Sequence, residues 1–161
     1  MRRGVRIGVD VGRARVGVAR SDRDGLLATP VETIQRASTD VVARLRAIAV
    51  ELDAVEAVVG LPISLSGGDT ASTQDARDIA ALLAASMPVR LVDERLSTVT
   101  ASAGMRAAGK SSRQQRSSID QAAAVVILQH ALDSERSAGR APGELLDAVD
   151  GEGGAAASGG E

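Results

Sequence analysis

The sequence predicts an α/β protein built on a mixed sheet. Three short apolar strands with tight links come first, at residues 4–11, 15–21 and 28–34. Helical and apolar strand segments then follow in the order α-β-α-β-α-α. Tight links join antiparallel neighbours, whereas helical connections add strands by crossover. We therefore expect a five-stranded sheet in which strands 1–3 are antiparallel, strands 4 and 5 are added by crossovers, and helices cover both faces.

The first two strands form a hairpin with a tight turn near Arg13 and Ala14. Because strand side chains alternate, the first strand places Ile7, Val9 and Val11 on one face, and Gly8, Asp10 and Gly12 on the other. Glycines in a strand often mark a place where a ligand or another backbone comes close. Asp10 is therefore a candidate site residue with room beside it for a hydrated metal or a phosphate. The alternative is an exposed aspartate on a half-solvated strand.

The third strand is expected at an edge of the sheet, because Pro30 has no N–H to donate to a strand ladder. Residues 22–25 (Asp-Arg-Asp-Gly) supply the turn before it. Thr39 or Asp40 can cap the helix that follows, which runs to about Leu52.

The remaining elements follow from periodicity and chain breakers. They are a buried strand at 57–60, a Ser/Gly-rich loop at 61–69, a helix at 72–85, a strand at 89–93, and helices at 98–108 and 118–136. Residues 139–161 are rich in Gly, Ala and acids and predict a disordered tail. Residues 1–138 therefore form the folded domain.

The amino-acid composition excludes several kinds of functional site. The chain of 161 residues has no cysteine and one histidine, His130, which excludes thiolate zinc sites and cysteine nucleophiles. It has no Phe, Tyr or Trp, so nucleic-acid bases have no aromatic platform to stack on. No apolar run has the length of a signal sequence or a membrane span. We expect a soluble cytoplasmic protein.

Charge is unevenly distributed. Residues 133–161 hold seven acids and two arginines, so they contribute −5 to the net charge of −2 and leave residues 1–132 at +3. A mildly basic body is compatible with a polyanionic partner and equally with ordinary surface charge.

Three further acids stand where element ends should converge. Asp93 and Glu94 close the fifth strand, but neighbours point to opposite faces and alternation does not decide which one meets Asp10. Asp120 lies at the predicted start of the last helix, where Ser117 and Asp120 also approximate a capping box. Converging carboxylates without Cys or His suit Mg²⁺ or Mn²⁺. Two such ions can activate water and stabilise a leaving oxygen in phosphodiester hydrolysis.

Four segments resemble the signatures of the YqgF-type family of bacterial Holliday junction resolvases and pre-ribosomal-RNA nucleases. They are residues 10–19 (DVGRARVGVA), 60–62 (GLP), 93–98 (DERLST) and 119–124 (IDQAAA), in the order in which the family has them. The resemblance covers about residues 4–135 and implies an RNase H-like fold. It also implies three metal-binding catalytic carboxylates, which fall on Asp10, Glu94 and Asp120.

Basic residues near these acids are candidate phosphate grips, because the arginine fork suits bidentate phosphate contact. This set comprises Arg13, Arg15, Arg95, Arg106, Lys110, Arg113 and Arg116. By contrast, we interpret Arg2, Arg36 and Arg44 as solvated surface charges.

The leading hypothesis is a Mg²⁺- or Mn²⁺-dependent endonuclease acting on structured nucleic acid, either at the 5′ end of pre-16S rRNA or at Holliday junctions. Resolution of a symmetric junction needs two active sites and implies a homodimer. One alternative is a non-catalytic nucleic-acid-binding factor in ribosome assembly or transcription. Another is an ATP-dependent phosphotransferase, since the residue 10–19 pattern also resembles the phosphate loop of actin and Hsp70. Those enzymes enclose ATP between two such domains, and this chain has room for one.

Overall fold

The computed structural model describes residues 2–62, 68, 70–93 and 112–146, with the backbone alone for residues 112–120. Its described elements run β1 (Val5–Val11), β2 (Arg15–Ser21), β3 (Ala28–Gln35), α1 (Val41–Leu52), β4 (Ala54–Leu61), α2 (Ala71–Ala84), β5 (Val89–Asp93), α3 (Ser112–Ala138) and β6 (Glu144–Leu146). The helix expected at 98–108 lies outside the described residues.

The strands form one mixed sheet in the order β3-β2-β1-β4-β5-β6. β1 pairs antiparallel with β2 and parallel with β4, and β4 pairs parallel with β5. β3 lies at the edge, as Pro30 predicted, and its register shifts beside Pro30 between Val18 and Ala19 of β2. The antiparallel first half, the crossovers and the edge position are thus confirmed.

The predicted count of five strands is wrong by one. β6 pairs antiparallel with β5, Leu91 facing Glu144 and Val89 facing Leu146. This strand lies within residues 139–161, the segment expected to be a disordered tail. Its three residues include two leucines, which gain a ladder partner only because β5 would otherwise be the edge of the sheet.

Helices cover both faces, as expected. On one face α1 and α2 pack on the sheet through residues such as Ile7, Val9 and Leu45, all fully buried. On the other face α3 packs through Ile127, Leu128 and Leu132, among others. Val58 of β4 and Ala19 of β2 belong to this second cluster. The core is thus two aliphatic layers separated by the sheet.

Local signals set the helix starts. Asp40 is the N-cap of α1, its carboxylate accepting from the Ala43 amide at 3.1 Å, and α1 ends at Asp53 in a left-handed conformation. Thr70 and Thr73 form a reciprocal capping box at α2. Both satisfy amides that the first helical turn leaves without partners.

α3 begins at Ser112, six residues before the predicted start at 118. No glycine or proline interrupts residues 112–138, and the Gln and Arg of its first turns are good helix formers. Ser117 therefore lies inside the helix and does not cap it. The capping explanation for Asp120 is wrong.

A charge cluster with buried Glu56, Glu135 and Arg6 and a half-exposed Arg2 joins the two ends of the domain. Arg2 donates to Glu135 and to Glu56, and Arg90 donates to Glu56 at 2.8 Å. Arg6 is 1% exposed and lies 3.5 Å from Glu135. These contacts hold the start of β1, the start of β4 and the last third of α3 together. Arg2 lies at the surface, as interpreted, but its charge is paired with Glu56 and Glu135 and is not simply solvated.

Among the described residues, no helix combines the length and the apolar character that crossing a membrane requires.

Candidate active site

Asp10 lies near the carboxyl end of β1, on the face that α3 covers. Its strand neighbours Val9 and Val11 point into the core beneath α1 and α2. Gly8, two residues earlier, faces Leu128 and the carbonyl of Ala124 in α3. Asp10 itself is partly exposed. Strand alternation therefore placed the aspartate on the correct face.

The glycines beside Asp10 have structural roles that the sequence did not reveal. A Cβ on Gly8 would lie 2.7 Å from Leu128 Cβ, so the absence of a side chain lets α3 approach the sheet. A Cβ on Gly12 would lie 2.7 Å from the Arg15 carbonyl oxygen, which accepts from the Gly12 amide at 2.9 Å in the β1–β2 turn. The expectation that these glycines leave room for a metal or phosphate is wrong at both positions.

α3 runs antiparallel to β1 and brings its first half to the level of Asp10. Gln121 Nε2 donates to Thr33 Oγ1 at 3.0 Å. Thr33 pairs with Gly17, which in turn pairs with Asp10, so these residues form one row across the sheet. At the other end of the helix, Glu135 bonds to Arg2.

Asp120 immediately precedes Gln121 and lies four residues, about one helical turn, before Ala124. The structure thus places the backbone of position 120 near the level of Asp10, at the end of α3 that lies over the carboxyl end of β1. The Asp120 side chain lies outside the described residues.

Glu94 and Arg95 also lie outside the described residues, directly after β5. β5 is separated from β1 by β4 alone, and Leu61 of β4 pairs with Asp93. Val92 packs against the α3-side cluster. Within the described residues no group of three or more Asp, Glu, His or Cys side chains is placed to hold a metal. Of the three predicted ligands, Asp10 has a described side chain, and Glu94 and Asp120 do not.

The structure describes the positions of four of the seven candidate phosphate-binding residues. Arg13 is exposed in the β1–β2 turn, and Arg15 is partly buried at the start of β2. Arg113 and Arg116 lie in the first turns of α3, not in a loop preceding it as expected. Arg106 and Lys110 fall outside the described residues.

Arg36 was missed as a residue of this region. It follows β3 directly, and its guanidinium bridges the Gly12 carbonyl at 2.8 Å and the Asp75 carboxylate at 2.6 Å. The hydrogen bonds from Arg36 lower the pKa of Asp75 below its usual range. Arg44 likewise pairs with Glu32. The interpretation of Arg36 and Arg44 as solvated surface charges is wrong, because both pairings depend on the register of β3.

A groove of about 470 Å³ opens beside Asp93, between β5, α3 and residues 140–143. Its polar lining includes His130, Ser134 and Arg140. His130 is exposed on α3 and lies on this groove, away from the row that contains Asp10.

Comparison with solved structures identifies the fold. RuvC of T. thermophilus, solved in complex with a Holliday junction substrate, superposes with a TM-score of 0.56 and 17% identity, over 89% of this chain and 99% of RuvC. A second Thermus thermophilus RuvC structure gives 0.54. The predicted RNase H-like fold is confirmed.

Comparison with sequences identifies the family. A protein of Clavibacter michiganensis subsp. michiganensis is 58% identical over 150 residues, covering 91% of this chain and 93% of that protein. A Streptomyces coelicolor protein is 56% identical over 155 residues, covering 92% of each. Both carry the name "Putative pre-16S rRNA nuclease". The pattern of the family described as "RuvX: Holliday junction resolvase" matches residues 4–134. The chain belongs to the RuvX family of Holliday junction resolvases.

Proposed function

We propose that this protein is a divalent-metal-dependent endonuclease that hydrolyses phosphodiester bonds in structured nucleic acid, with Asp10, Glu94 and Asp120 as its metal ligands. The observation that carries the proposal is the row Asp10–Gly17–Thr33, to which Gln121 of α3 is hydrogen-bonded. This row and its hydrogen bond bring β1 and α3 to the same level of the sheet. Each of these two elements carries one of the predicted carboxylates. Because the chain belongs to a family of Holliday junction resolvases, we interpret this convergence as part of a nuclease active site.

The position of residue 120 supports its inclusion. Ala124 faces Gly8, and residue 120 precedes Ala124 by one turn, so it occupies the helix face that approaches β1. Asp10 follows Gly8 by two residues on the same strand face. Since Ser117 does not cap the helix, the capping role no longer accounts for an acid at 120.

The choice of Glu94 over Asp93 comes from the resemblance to the YqgF-type family, and the orientation of β5 supports it. Val92 packs against the α3-side cluster, and strand side chains return to the same face every second residue. Asp93 therefore belongs to the opposite face of β5 from Val92, away from the face on which Asp10 lies, and this supports the choice of Glu94. β4 alone separates β5 from β1. Because β1, β4 and β5 are parallel, their carboxyl ends lie at the same end of the sheet.

This donor set fits Mg²⁺ or Mn²⁺, because three carboxylates offer only oxygen ligands and the chain has no cysteine. When bound there, the metal would supply Lewis-acid stabilisation of charge on the scissile phosphate. The residues of this chain hold the substrate: the turn carrying Arg13 and Arg15 follows Asp10 closely, and α3 carries Arg113 and Arg116 seven and four residues before Asp120. Arg95, Arg106 and Lys110 complete the proposed grip.

The proposed substrates are those that the relatives' names supply: the precursor of 16S rRNA and the four-way DNA junction. The absence of aromatic side chains favours recognition through phosphate and sugar over base stacking. Symmetric cleavage of a junction requires a homodimer, whereas trimming of an RNA end does not. Oligomeric state therefore separates the two substrates.

The test is cleavage of a precursor 16S rRNA 5′ segment and of a four-way DNA junction, each with Mg²⁺, Mn²⁺ or EDTA. Asp10→Asn is expected to lower the rate at least ~100-fold while nucleic-acid affinity changes little. Asp78→Asn, an exposed acid on α2 that bonds to Gln74, is the matched control and should cleave like the wild type. Metal-independent binding without cleavage would instead support the non-catalytic alternative.

A further inference from the structure

Arg36 makes an unusual set of contacts for a residue that follows an edge strand. Its Nη1 donates to the Gly12 carbonyl at 2.8 Å and to Asp75 Oδ2 at 2.6 Å. Its Nη2 donates to Asp75 Oδ1 at 3.0 Å, and its main-chain amide donates to the Ala14 carbonyl at 3.0 Å. One residue thus holds the two carbonyls that flank Arg13 in the chain.

These contacts fix the β1–β2 turn on two sides. Within the hairpin, the Gly12 amide donates to the Arg15 carbonyl at 2.9 Å. Outside it, Arg36 ties the turn to Asp75, in the second turn of α2. Without the Arg36 side chain, the turn would keep its hairpin hydrogen bond and the main-chain bond from residue 36, but it would lose its link to Asp75. The arginines on the turn would then sample more orientations.

α2 also holds the end of β4. The Thr73 hydroxyl is buried and donates to the Pro62 carbonyl at 2.6 Å. The start of α2 is therefore bonded both to the residue after β4 and, through Asp75 and Arg36, to the residue after β1. The start of α2 therefore holds two neighbouring loops in place, those that follow β1 and β4. Both loops lie at the end of the sheet where Asp10 lies.

We infer that Arg36 and Asp75 are a positioning pair, which orients Arg13 and Arg15 toward the phosphates of the substrate next to Asp10. The inference rests on the proposed function, in which this turn grips nucleic acid. Neither Arg36 nor Asp75 contacts the reacting atoms. Their effect is to hold the turn in one conformation before the substrate arrives, so that binding does not have to order it.

The chain provides a matched control in Arg44 and Glu32. This pair also has a bidentate geometry, at 2.6 and 2.8 Å, and similar exposure, 34% and 30% against 27% and 33% for Arg36 and Asp75. It joins α1 to Glu32 of β3, whose ladder partner is Val18 and not a residue of the β1–β2 turn. Arg44→Ala therefore removes an equivalent ion pair and leaves the turn in place.

The experiment compares Arg36→Ala, Asp75→Asn and Arg44→Ala in the full chain. Amide hydrogen exchange at residues 12–16 should accelerate about tenfold in Arg36→Ala, the change expected for loss of one charge-assisted hydrogen bond, and should be unchanged in Arg44→Ala. The dissociation constant for the precursor RNA segment and for the junction, measured in EDTA, should rise about five- to tenfold in Arg36→Ala alone. In cleavage, KM should rise while kcat changes less than about twofold.

Asp75→Asn keeps Arg36 and tests the pair from its other side, with a smaller effect in the same direction. Arg36→Lys should not restore affinity, because one ammonium cannot serve both the Gly12 carbonyl and the two Asp75 oxygens. Equal exchange at the turn in Arg36→Ala and Arg44→Ala would overturn the inference, and so would faster exchange with unchanged affinity. Failure of the wild type to cleave would overturn the proposed endonuclease while leaving the exchange and affinity results to decide the role of Arg36.

Discussion

Gly8 and Leu128 are in contact so close that a Cβ on Gly8 would lie 2.7 Å from Leu128 Cβ and 3.0 Å from the Ala124 carbonyl oxygen. This contact sets the distance between β1, which carries Asp10, and α3, which carries Asp120. The spacing of two proposed metal ligands thus depends on one glycine that binds no ligand.

Gly8→Ala should push α3 away from the sheet. We expect a loss of about 1–3 kcal/mol in the free energy of unfolding, because neither the helix backbone nor Leu128 Cβ can rotate away. Cleavage should fall by more than tenfold, because a shift of about 1 Å between catalytic groups is enough for that. Urea unfolding and the cleavage rate are the measurements.

Val58→Ala is the control for Gly8→Ala. Val58 pairs with Gly8 in the sheet and belongs to the buried cluster that contains Leu128. Val58→Ala removes side-chain volume from this region, whereas Gly8→Ala adds volume to it. A similar stability loss, about 2 kcal/mol, is expected with little change in cleavage. If both variants cleave like the wild type, α3 does not set the geometry of the site.

Acid stability should depend on Glu135. The hydrogen bonds from Arg2 lower the pKa of Glu135 to about 2 from 4.5. A carboxylate with a depressed pKa in the folded state stabilises the protein above its unfolded pKa. That contribution is lost as the pH falls from about 4.5 toward 2. Asp22, Glu32 and Asp75 also have lowered pKa values and act in the same direction.

In Glu135→Gln, the free energy of unfolding should therefore depend less on pH between about 4.5 and 2 than it does in the wild type. At pH 7 the variant should lose on the order of 2 kcal/mol, since Arg2 and Arg6 would keep their charges without this partner. As the pH falls to about 2, the stabilities of wild type and variant should converge. A constant difference between them across this pH range would contradict the assignment of this pH dependence to Glu135.

The proposed phosphate grips predict a salt effect. Arg13→Ala and Arg15→Ala should each reduce the slope of log affinity against log salt by about one unit. Arg46→Ala is the control, because Arg46 lies in α1 on the opposite face of the sheet and donates to the Leu82 carbonyl. Filter binding or fluorescence anisotropy from 50 to 300 mM salt, in EDTA, measures the slopes. Equal slopes for Arg13→Ala and Arg46→Ala would remove the turn from the binding surface.

Gly143 predicts how β6 is held on the sheet. Gly143 and Gly139 both have positive φ, 68° and 73°, but a Cβ would lie 2.3 Å from the Leu91 carbonyl at Gly143 and would touch nothing within 4 Å at Gly139. Gly143→Ala should detach β6, and amide exchange in β5 should accelerate. Gly139→Ala should cost only the left-handed strain of about 1 kcal/mol. Comparable protection of β5 in the two variants would show that the contact at Gly143 is not what holds β6.

The elements with a clear period were predictable from sequence. The alternation in β1, β2 and β5 and the apolar stripe of α1 gave bounds close to those observed. The start of α3 was placed too late, because Gly109 and the serines that follow it suggested a loop. β6 was missed because three residues carry no period of their own and depend on the unpaired side of β5.

The sequence by itself determined the alternating pattern of β1 that puts Asp10 opposite the core residues Val9 and Val11, the edge position of β3, and the motifs that indicate the family. Tertiary structure alone decided why Gly8 has no side chain, and that Arg36 belongs to the turn and Arg2 to Glu135. The reason is physical: face and period are local properties of the chain. Contacts between residues 8 and 128, 12 and 36, or 2 and 135 depend on how elements pack and in which register.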